Sequence, residues 1–244
     1  PQLGDLRPPW GLGASGATNL GTRCERGSAY PGTVTPRLVL ASRSPARTKL
    51  LADAGIAHDR LVSDVDEDAV VAERGVTEPE ETAMVLARAK AEAVAALPAA
   101  AGALVIGCDS VFELDGEVHG KPLDAATATA RIRAMRGRSG VLHTGHWLVD
   151  TRDPAQGGSG FSGGAPAAAE VFFAPMSDDE VAAYVATGEP LHVAGSFTID
   201  ALGAAFVERV EGDVHAVVGL SLNTLRTLLG RAGVSVPELW AAHR

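Results

Sequence analysis

Apolar and polar residues alternate in blocks along residues 37–244, and the blocks have two different periods. Segments with apolar residues three and four positions apart predict helices, and capping residues bound three of these helices at 77–97, 124–137 and 177–188. Short apolar runs bounded by turn residues predict strands. The predicted strands lie near residues 38–41, 103–114, 141–149, 169–174 and 204–218.

Two turn signals indicate how these strands pair. Asp115-Gly116 is typical of a two-residue hairpin, and Glu211-Gly212-Asp213 indicates a second hairpin. Hairpins join antiparallel strands, whereas strands connected through a helix are usually parallel. The sequence therefore predicts an α/β protein with a mixed parallel and antiparallel sheet flanked by helices.

Two segments fall outside this pattern. Residues 1–36 are rich in glycine and proline and have no apolar face, so we expect a disordered N-terminal extension. They contain a GxGxxG pattern at residues 11–16, but no strand precedes it and no helix follows, so we do not expect a dinucleotide-binding turn. A second segment, about residues 151–169, lacks periodicity and predicts a flexible insertion between two strands.

An early strand, turn and helix have the layout of a phosphate-binding corner. Ser44 suits the N-cap of the helix, and Pro45 suits its first position. Arg47 and Lys49 then lie near the first turn, where cations oppose the helix dipole unless an anion binds the free N–H groups. Ser42 and Ser44 add hydroxyl donors. The alternative is an ordinary strand and helix with two solvated cations.

The first hairpin brings two charged residues together in the prediction. Counting outward from its loop pairs Ser110 with Lys121, which places Lys121 beside Asp109. Asp109 follows a buried apolar run, and ligands of open α/β sheets bind beyond the ends of strands. Asp109 and Lys121 are therefore catalytic candidates. A structural ion pair or an exposed hairpin edge is the alternative, and strict alternation places the two residues on opposite faces.

Two further charged residues each allow two interpretations. Lys90 lies on the apolar face of the predicted helix at 77–97, where a lysine either extends to solvent or reaches into a pocket. Glu67 belongs to an acidic cluster at residues 63–70, which has the character of a solvated loop. Neither residue alone identifies a site.

Composition and charge narrow the classes of function. The chain has 244 residues, of which 46% are hydrophobic, and no apolar run is long enough to span a membrane. The formal net charge of −9 argues against a nucleic-acid polymer as partner. Cys24 and Cys108 occur in unlike contexts and no secretory signal is evident, so we expect a cytoplasmic protein without a disulfide framework.

Together these motifs resemble the Maf family of nucleoside triphosphate pyrophosphatases, and the resemblance spans nearly all of residues 37–244. Ala46 replaces an arginine of the family's first motif, and GLSL replaces its usual closing GLPL. The similar segments are SxSPxR (42–47), VDE (65–67), AKA (89–91), GKP (120–122), TG (144–145), GEP (188–190), AGSF (194–197), GAAFVERVEGD (203–213) and VVGLSL (217–222).

The resemblance implies a fold with two lobes around a cleft, as in Maf and ITPase-like proteins. Members of the family are often homodimers, so the resemblance also implies a homodimer. It implies hydrolysis of a nucleoside triphosphate, including modified or noncanonical ones, to the monophosphate and diphosphate by attack of water at the α-phosphate. Asp109 would be the base, or chiefly a metal ligand, and Glu67 with Asp109 would hold Mg²⁺ or Mn²⁺. The phosphates would be bound by Ser42, Ser44, Arg47, Lys90 and Lys121.

Ala46, Ser110 and Asp200 occupy positions that resemble the family's determinants of base specificity. Branches that prefer thymidine or uridine triphosphates typically have Arg, Thr and Gln there, and the branch acting on 7-methylguanosine triphosphate has a bulky aromatic residue, Gln and Glu. This chain matches neither set, and Phe197 replaces a common tyrosine. Since an ionised Asp200 can only accept hydrogen bonds, it suits the N–H groups of a guanine edge, and we expect a broad or purine-tolerant pocket.

Two functions of different class remain. The first is an active pyrophosphatase that removes noncanonical nucleotides. The second is a nucleotide-binding regulator of cell division and septum formation with little or no catalysis. The presence of Asp109, Lys121, Lys90 and Arg47 favours the enzyme, because a carboxylate near the phosphates repels them and serves no purpose in a binding module.

Overall fold

The structure, a computed structural model, describes residues 35–240. The expected N-terminal extension at 1–36 therefore lies almost wholly outside the described residues, as does the glycine pattern at 11–16. No helix among the described residues is long and apolar enough to cross a membrane.

The elements of residues 35–240 follow one another in the alternating order that the sequence predicts. The strands are β1 (Arg37–Ala41), β2 (Asp59–Leu61), β3 (Ala103–Leu114), β4 (Glu117–His119), β5 (Ser139–Asp150), β6 (Ser162–Phe173) and β7 (Val207–Gly212). The helices are α1 (Pro45–Asp53), α2 (Glu67–Arg74), α3 (Pro79–Ala95), α4 (Ala125–Met135), α5 (Asp178–Ala186), α6 (Val214–Val218) and α7 (Leu222–Arg231).

The strands form one seven-stranded sheet in the order β2-β1-β3-β5-β6-β7, with β4 beside β3. β1 pairs in parallel with β2 and β3, because helices connect these strands. The remaining pairs, which involve β3 to β7, are antiparallel. The prediction of a mixed sheet flanked by helices is therefore confirmed.

The helix boundaries follow the capping residues. The side chain of Asp124 accepts a hydrogen bond from the N–H of Thr127 and starts α4. Ser177 and Glu180 form the expected capping box at α5. The predicted helix at 77–97 is α3, although its N-cap, Glu78, makes no side-chain cap. Local hydrogen bonding at the helix ends was thus readable from the sequence.

Two strand predictions are wrong at their ends. The expected insertion at 151–169 contains the first part of β6, because residues from Ser162 onward pair with β5. This part of β6 is rich in glycine and alanine and so has no alternation of apolar and polar residues. The predicted strand at 204–218 is β7 followed by α6. Asp213 accepts hydrogen bonds from the N–H groups of the first turn of α6, so the second hairpin does not form.

Apolar side chains on one face of the sheet form two clusters at opposite ends of β3. The first contains Leu104 and residues of α1 and α7, and the second contains Phe112 and residues of α4 and α5. A third cluster, which contains Val105 and Val94 of α3, lies on the opposite face. Helices therefore cover both faces, and the two clusters on one face are the cores of two lobes.

The sheet is interrupted between these two lobes. β1 pairs with β3 only as far as Ala41 opposite Gly107. β4 pairs with β3 only from Phe112 onward. Within the described residues, 108–111 of β3 have no strand on this edge. The opening matches the expected cleft between two lobes.

Helix α3 packs directly on the sheet beside this opening. A Cβ atom at Gly107 would lie 2.3 Å from the carbonyl oxygen of Ala87, and one at Gly145 would lie 2.3 Å from that of Ala83. Contacts this short are forbidden, so the two glycines allow α3 to approach the backbone of β3 and β5. The approach fixes where side chains of α3 meet the centre of β3.

A buried histidine fixes the junction between α6 and α7. His146 is fully buried on β5, and its Nε2 accepts a hydrogen bond of 2.8 Å from the N–H of Ser221. Its Nδ1 lies 3.3 Å from the carbonyl oxygen of Ala165 and donates to it. Burial lowers the pKa of His146 to about 4, so the ring is neutral at pH 7. This neutral ring holds the turn that carries Gly219.

We expect Gly107→Ala to lower the free energy of unfolding by about 2 kcal/mol or more, because α3 must move away from the sheet. Gly230→Ala is the matched control. Gly230 lies in α7 with open space around it, so alanine should raise stability by up to about 1 kcal/mol. Urea unfolding measures both. Equal stability of Gly107→Ala and the wild type would contradict the close approach of α3.

The stability should depend on pH through His146. The unfolded chain protonates this ring near its ordinary pKa of about 6.5, whereas the folded chain resists protonation down to about 4. The unfolded state therefore binds more protons as the pH falls, and this group should cost about 2 kcal/mol of stability between about pH 7 and about pH 5. Urea unfolding of His146→Gln should show a smaller loss by that amount. Identical pH profiles would refute this role.

Candidate active site

The corner between β1 and α1 has the predicted local structure. Ser44 is the N-cap, its hydroxyl accepts a hydrogen bond from the N–H of Arg47, and Pro45 follows at the first position. The N–H of Ser44 donates to the Ser42 hydroxyl at 3.1 Å, which tightens the turn. The first turn of α1 contains no acidic residue. The positive end of the helix dipole is therefore not neutralised within the helix.

Arg47 is a buried cation, 9% exposed, whose acceptors are all neutral. Its Nε donates to the carbonyl oxygen of Gly219 at 2.6 Å. Its Nη1 and Nη2 donate to the hydroxyls of Ser42 at 3.2 Å and Ser110 at 3.0 Å. Among the described residues, none forms an ion pair with it. A buried cation whose direct hydrogen-bond partners are all neutral is costly, so this arrangement favours an anionic ligand.

Lys49 does not share this environment. Its ammonium forms a salt bridge of 2.5 Å with Asp53, one turn along α1, and both side chains are exposed. At this corner Arg47 and the N-terminus of α1 therefore favour an anion, and the expected contribution of Lys49 is wrong.

Lys90 turns into the cleft and contacts two carboxylates. Its Nζ lies 2.5 Å from Oδ1 of Asp109 and 2.8 Å from Oε1 of Glu67. The lysine side chain is only 13% exposed, because α3 packs closely on β3. Of the two interpretations of Lys90, the structure supports the pocket. Glu67, Lys90 and Asp109 thus form a carboxylate–lysine cluster, in which two carboxylates surround one ammonium.

Glu67 reaches this cluster from a helix rather than from the expected loop. It is the first residue of α2, and the carboxylate of Asp66 caps that helix by accepting from the N–H of Ala69 at 3.0 Å. Partial burial raises the pKa of Glu67, but the hydrogen bond from Lys90 and the charges of Lys90, Lys121 and Arg47 outweigh burial and lower the pKa overall. Glu67 is therefore ionised at neutral pH.

Asp109 lies in the middle of β3 and not at the end of a strand. It is 8% exposed, stands opposite Gly145 of β5 and faces α3. It opens to the cleft because β1 ends two residues earlier along β3. Burial raises the pKa of the Asp109 carboxyl above its usual value, although Lys90 and Arg47 act in the opposite direction. A carboxylate with a raised pKa is a stronger base than an exposed aspartate.

The predicted pairing of Ser110 with Lys121 is wrong. β4 pairs with β3 over three residues and ends at His119, and Ser110 instead pairs with Thr144 of β5. Lys121 follows β4 in an exposed loop that Arg131 holds through a hydrogen bond to the carbonyl oxygen of Gly120. Lys121 forms no ion pair with Asp109. The charge of Lys121 nevertheless lowers the pKa of Glu67, which indicates that Lys121 lies near the carboxylate–lysine cluster.

Thr144 is a site residue that the sequence marked only as part of a TG motif. Its hydroxyl lies 2.8 Å from that of Ser110 and donates to the carbonyl oxygen of Ala216 at 2.8 Å. The Gly219 carbonyl that accepts from Arg47 was not expected at all. A Cβ atom at Gly219 would lie 3.0 Å from Nε of Arg47, so a side chain at this position would crowd the guanidinium. In the sequence, the glycine after α6 was the feature that could have indicated this contact.

The three expected base-reading positions belong to three different parts of the fold, which are α1, β3 and the segment before β7. Ala46 is half-buried near the start of α1, and Ser110 contacts Arg47. Asp200 is exposed in an irregular segment, and its charge contributes to the raised pKa of Lys49 after the larger effect of Asp53. Asp200 therefore lies within electrostatic range of the exposed Lys49 on α1.

The two halves of the site meet at the unpaired edge of β3. Ser110 and Arg47 lie on one face of that strand, and Asp109 with Lys90 lies on the other, because neighbouring residues alternate. Arg47 affects the pKa of Asp109 and of Glu67, so the charges of both halves act on each other. An anion at this edge can contact cations from both faces.

Comparisons with known proteins identify the family of this chain. Residues 37–232, which include every candidate site residue, match the family described as Maf-like protein. A nucleoside triphosphate pyrophosphatase of Streptomyces coelicolor is 55% identical over 205 residues, which cover 84% of this chain and 95% of the relative. One of Salinispora tropica is 53% identical over 213 residues, which cover 86% of this chain and 90% of the relative. The chain therefore belongs to the Maf-like protein family.

Proposed function

We propose that this chain hydrolyses nucleoside triphosphates to the nucleoside monophosphate and pyrophosphate. The observation that carries the proposal is the buried, unpaired guanidinium of Arg47 beside the cluster of Glu67, Lys90 and Asp109. The names and the high identity of the relatives support the same reaction. In this reaction a water oxygen bonds to the α-phosphorus, the bond to the oxygen that bridges the α- and β-phosphates breaks, and the water proton passes to a base.

The cations of the site would bind the triphosphate. Arg47 would hold phosphate oxygens from one face of β3, and the hydroxyls of Ser42 and Ser44 would donate beside it at the start of α1. Lys90 and Lys121 would hold the phosphate chain from the other face. Cations fixed before the substrate arrives stabilise the charge that develops on the departing pyrophosphate.

Asp109 would take the proton from the attacking water. Its burial raises its pKa, and its position at the open edge of β3 gives water access to it. Lys90 would keep the carboxylate oriented through the hydrogen bond of 2.5 Å. A carboxylate without such a partner would turn away from the phosphates by charge repulsion.

Glu67 and Asp109 would also hold a divalent cation, Mg²⁺ or Mn²⁺. The residues fit this ion, because the two carboxylates lie close enough to share one ammonium, and their contacts with Lys90 use only Oε1 of Glu67 and Oδ1 of Asp109. The described residues contain no group of three or more metal-ligating side chains, so water and phosphate oxygens would complete the coordination. When bound, the ion supplies positive charge to the phosphate oxygens.

The finer features of the proposal concern substrate and setting. Ala46, Ser110 and Asp200 would read the base, and the acceptor-only Asp200 favours a purine-tolerant pocket with guanine-type substrates. The reaction would take place in the cytoplasm, on modified or noncanonical nucleotides, and the protein would form a homodimer. The regulator of cell division remains the alternative, and it is distinguished by binding without turnover.

Release of pyrophosphate tests the reaction. We expect the full chain to release pyrophosphate from nucleoside triphosphates with Mg²⁺ or Mn²⁺, and to lose activity when a chelator removes the ion. Asp109→Asn should lower turnover by about 100-fold or more, because the amide cannot accept the proton. Nucleotide affinity should change much less.

Asp150→Asn is the matched control for this experiment. Asp150 is a buried carboxylate at the end of β5 that binds Arg152 and Ser159, so its loss affects stability and not the cleft. Turnover of this variant should equal that of the wild type at a temperature where both are folded. Full activity of Asp109→Asn would exclude Asp109 as the base, and binding without turnover in the wild type would favour the regulator.

A further inference from the structure

Asp200 lies in an irregular segment whose position depends on one carboxylate. Glu189 precedes this segment, and its Oε1 accepts hydrogen bonds from the Thr198 hydroxyl at 2.6 Å and from the N–H of Gly203 at 2.9 Å. Its Oε2 accepts from the N–H of Leu202 at 3.1 Å. A single side chain thus holds both ends of the segment at residues 198–203.

The anchors are placed symmetrically about Asp200. Thr198 precedes it by two residues and Leu202 follows it by two, while Asp200 itself is exposed. The segment has no sheet or α-helix hydrogen bonds at Asp200 that could fix it otherwise. The direction in which Asp200 faces therefore depends on the geometry around Glu189.

Glu189 is held in place and ionised by its donors. The Tyr184 hydroxyl of α5 donates to it at 3.0 Å. Burial raises the pKa of Glu189, but the hydrogen bonds from Thr198, Gly203 and Leu202 outweigh burial and lower it. No cation among the described residues pairs with this carboxylate. The hydrogen bonds to this carboxylate come from neutral donors in the segment and in α5.

We infer that Glu189 is a positioning residue for nucleobase selection, which acts by holding residues 198–203 so that Asp200 faces the base in the cleft. The inference rests on the proposed function, in which Asp200 reads the base. Glu189 itself would not contact the nucleotide. Its removal should therefore change the choice of base more than the affinity for the phosphates that both nucleotides share.

Binding of two uncleavable nucleotides tests this role without turnover. Calorimetry with the α,β-methylene analogues of guanosine and uridine triphosphate gives the ratio of their dissociation constants in the full chain. We expect the wild type to favour guanosine, and Glu189→Gln to reduce this preference about tenfold, because the amide cannot accept from every donor. Asp200→Asn should reduce it similarly, and the double variant should be no worse than Asp200→Asn.

Asp150→Asn again serves as control, since it removes a carboxylate anchor from a loop outside the cleft. It should lower stability and leave the preference unchanged. Thr198→Val, which removes one donor from Glu189, should change the preference in the same direction and less, and it replaces Glu189→Gln if that variant does not fold. Hydrogen exchange should quicken at Leu202 and Gly203 in Glu189→Gln.

Several results would overturn the inference. One is faster exchange in Glu189→Gln with an unchanged preference, which would leave Glu189 a purely structural residue. Another is a Glu189→Gln substitution that changes the nucleotide preference equally in the wild type and in Asp200→Asn. A wild type that binds both analogues equally would also overturn it, while pyrophosphate release would still support the proposed reaction. Failure to bind either analogue in the presence of Mg²⁺, together with no release of pyrophosphate from any triphosphate, would overturn both the inference and the proposed function.

Discussion

The arrangement of the site depends on one buried guanidinium. Arg47 joins the turn after β1, the open edge of β3 and the junction of α6 and α7, through hydrogen bonds to Ser42, Ser110 and Gly219. All three acceptors are neutral. A buried cation of this kind does little for stability, and often lowers it, so its presence is best explained by the anion that it would bind. The elements it joins are the ones that shape the cleft.

The second constraint is that β3 pairs with different strands at its two ends. Its first half completes a parallel sheet with β1, and its last residues pair with β4, which leaves its centre open on one edge. Two glycines bring α3 against the same centre, so Lys90 reaches Asp109 from the far face. Alternation along a strand then presents Ser110 to Arg47 and Asp109 to Lys90. A gap in an otherwise regular sheet thus brings opposite charges together without a long loop.

Local signals in the sequence predicted local structure. The Ser44 cap, the ends of α4 and α5 and the extent of β3 follow from hydrogen-bonding residues and apolar runs that act within a few positions. Features that depend on contacts between residues far apart in the sequence could not be predicted from it. The glycine- and alanine-rich start of β6 has no period to detect, and it is a strand only because β5 lies beside it. Asp109 was recognised as a candidate, but its partner Lys90 follows from the packing of α3 and not from the hairpin.

The most direct test of this account compares Arg47→Met with the wild type, with and without a magnesium complex of an uncleavable triphosphate. If the cation is present for an anion, the variant should retain its free energy of unfolding within about 1 kcal/mol and lose stabilisation by the ligand. The wild type should gain about 3 kcal/mol at one hundred times the dissociation constant. A variant that is much less stable but is still stabilised by the nucleotide would contradict the account, because Arg47 would then be a structural residue.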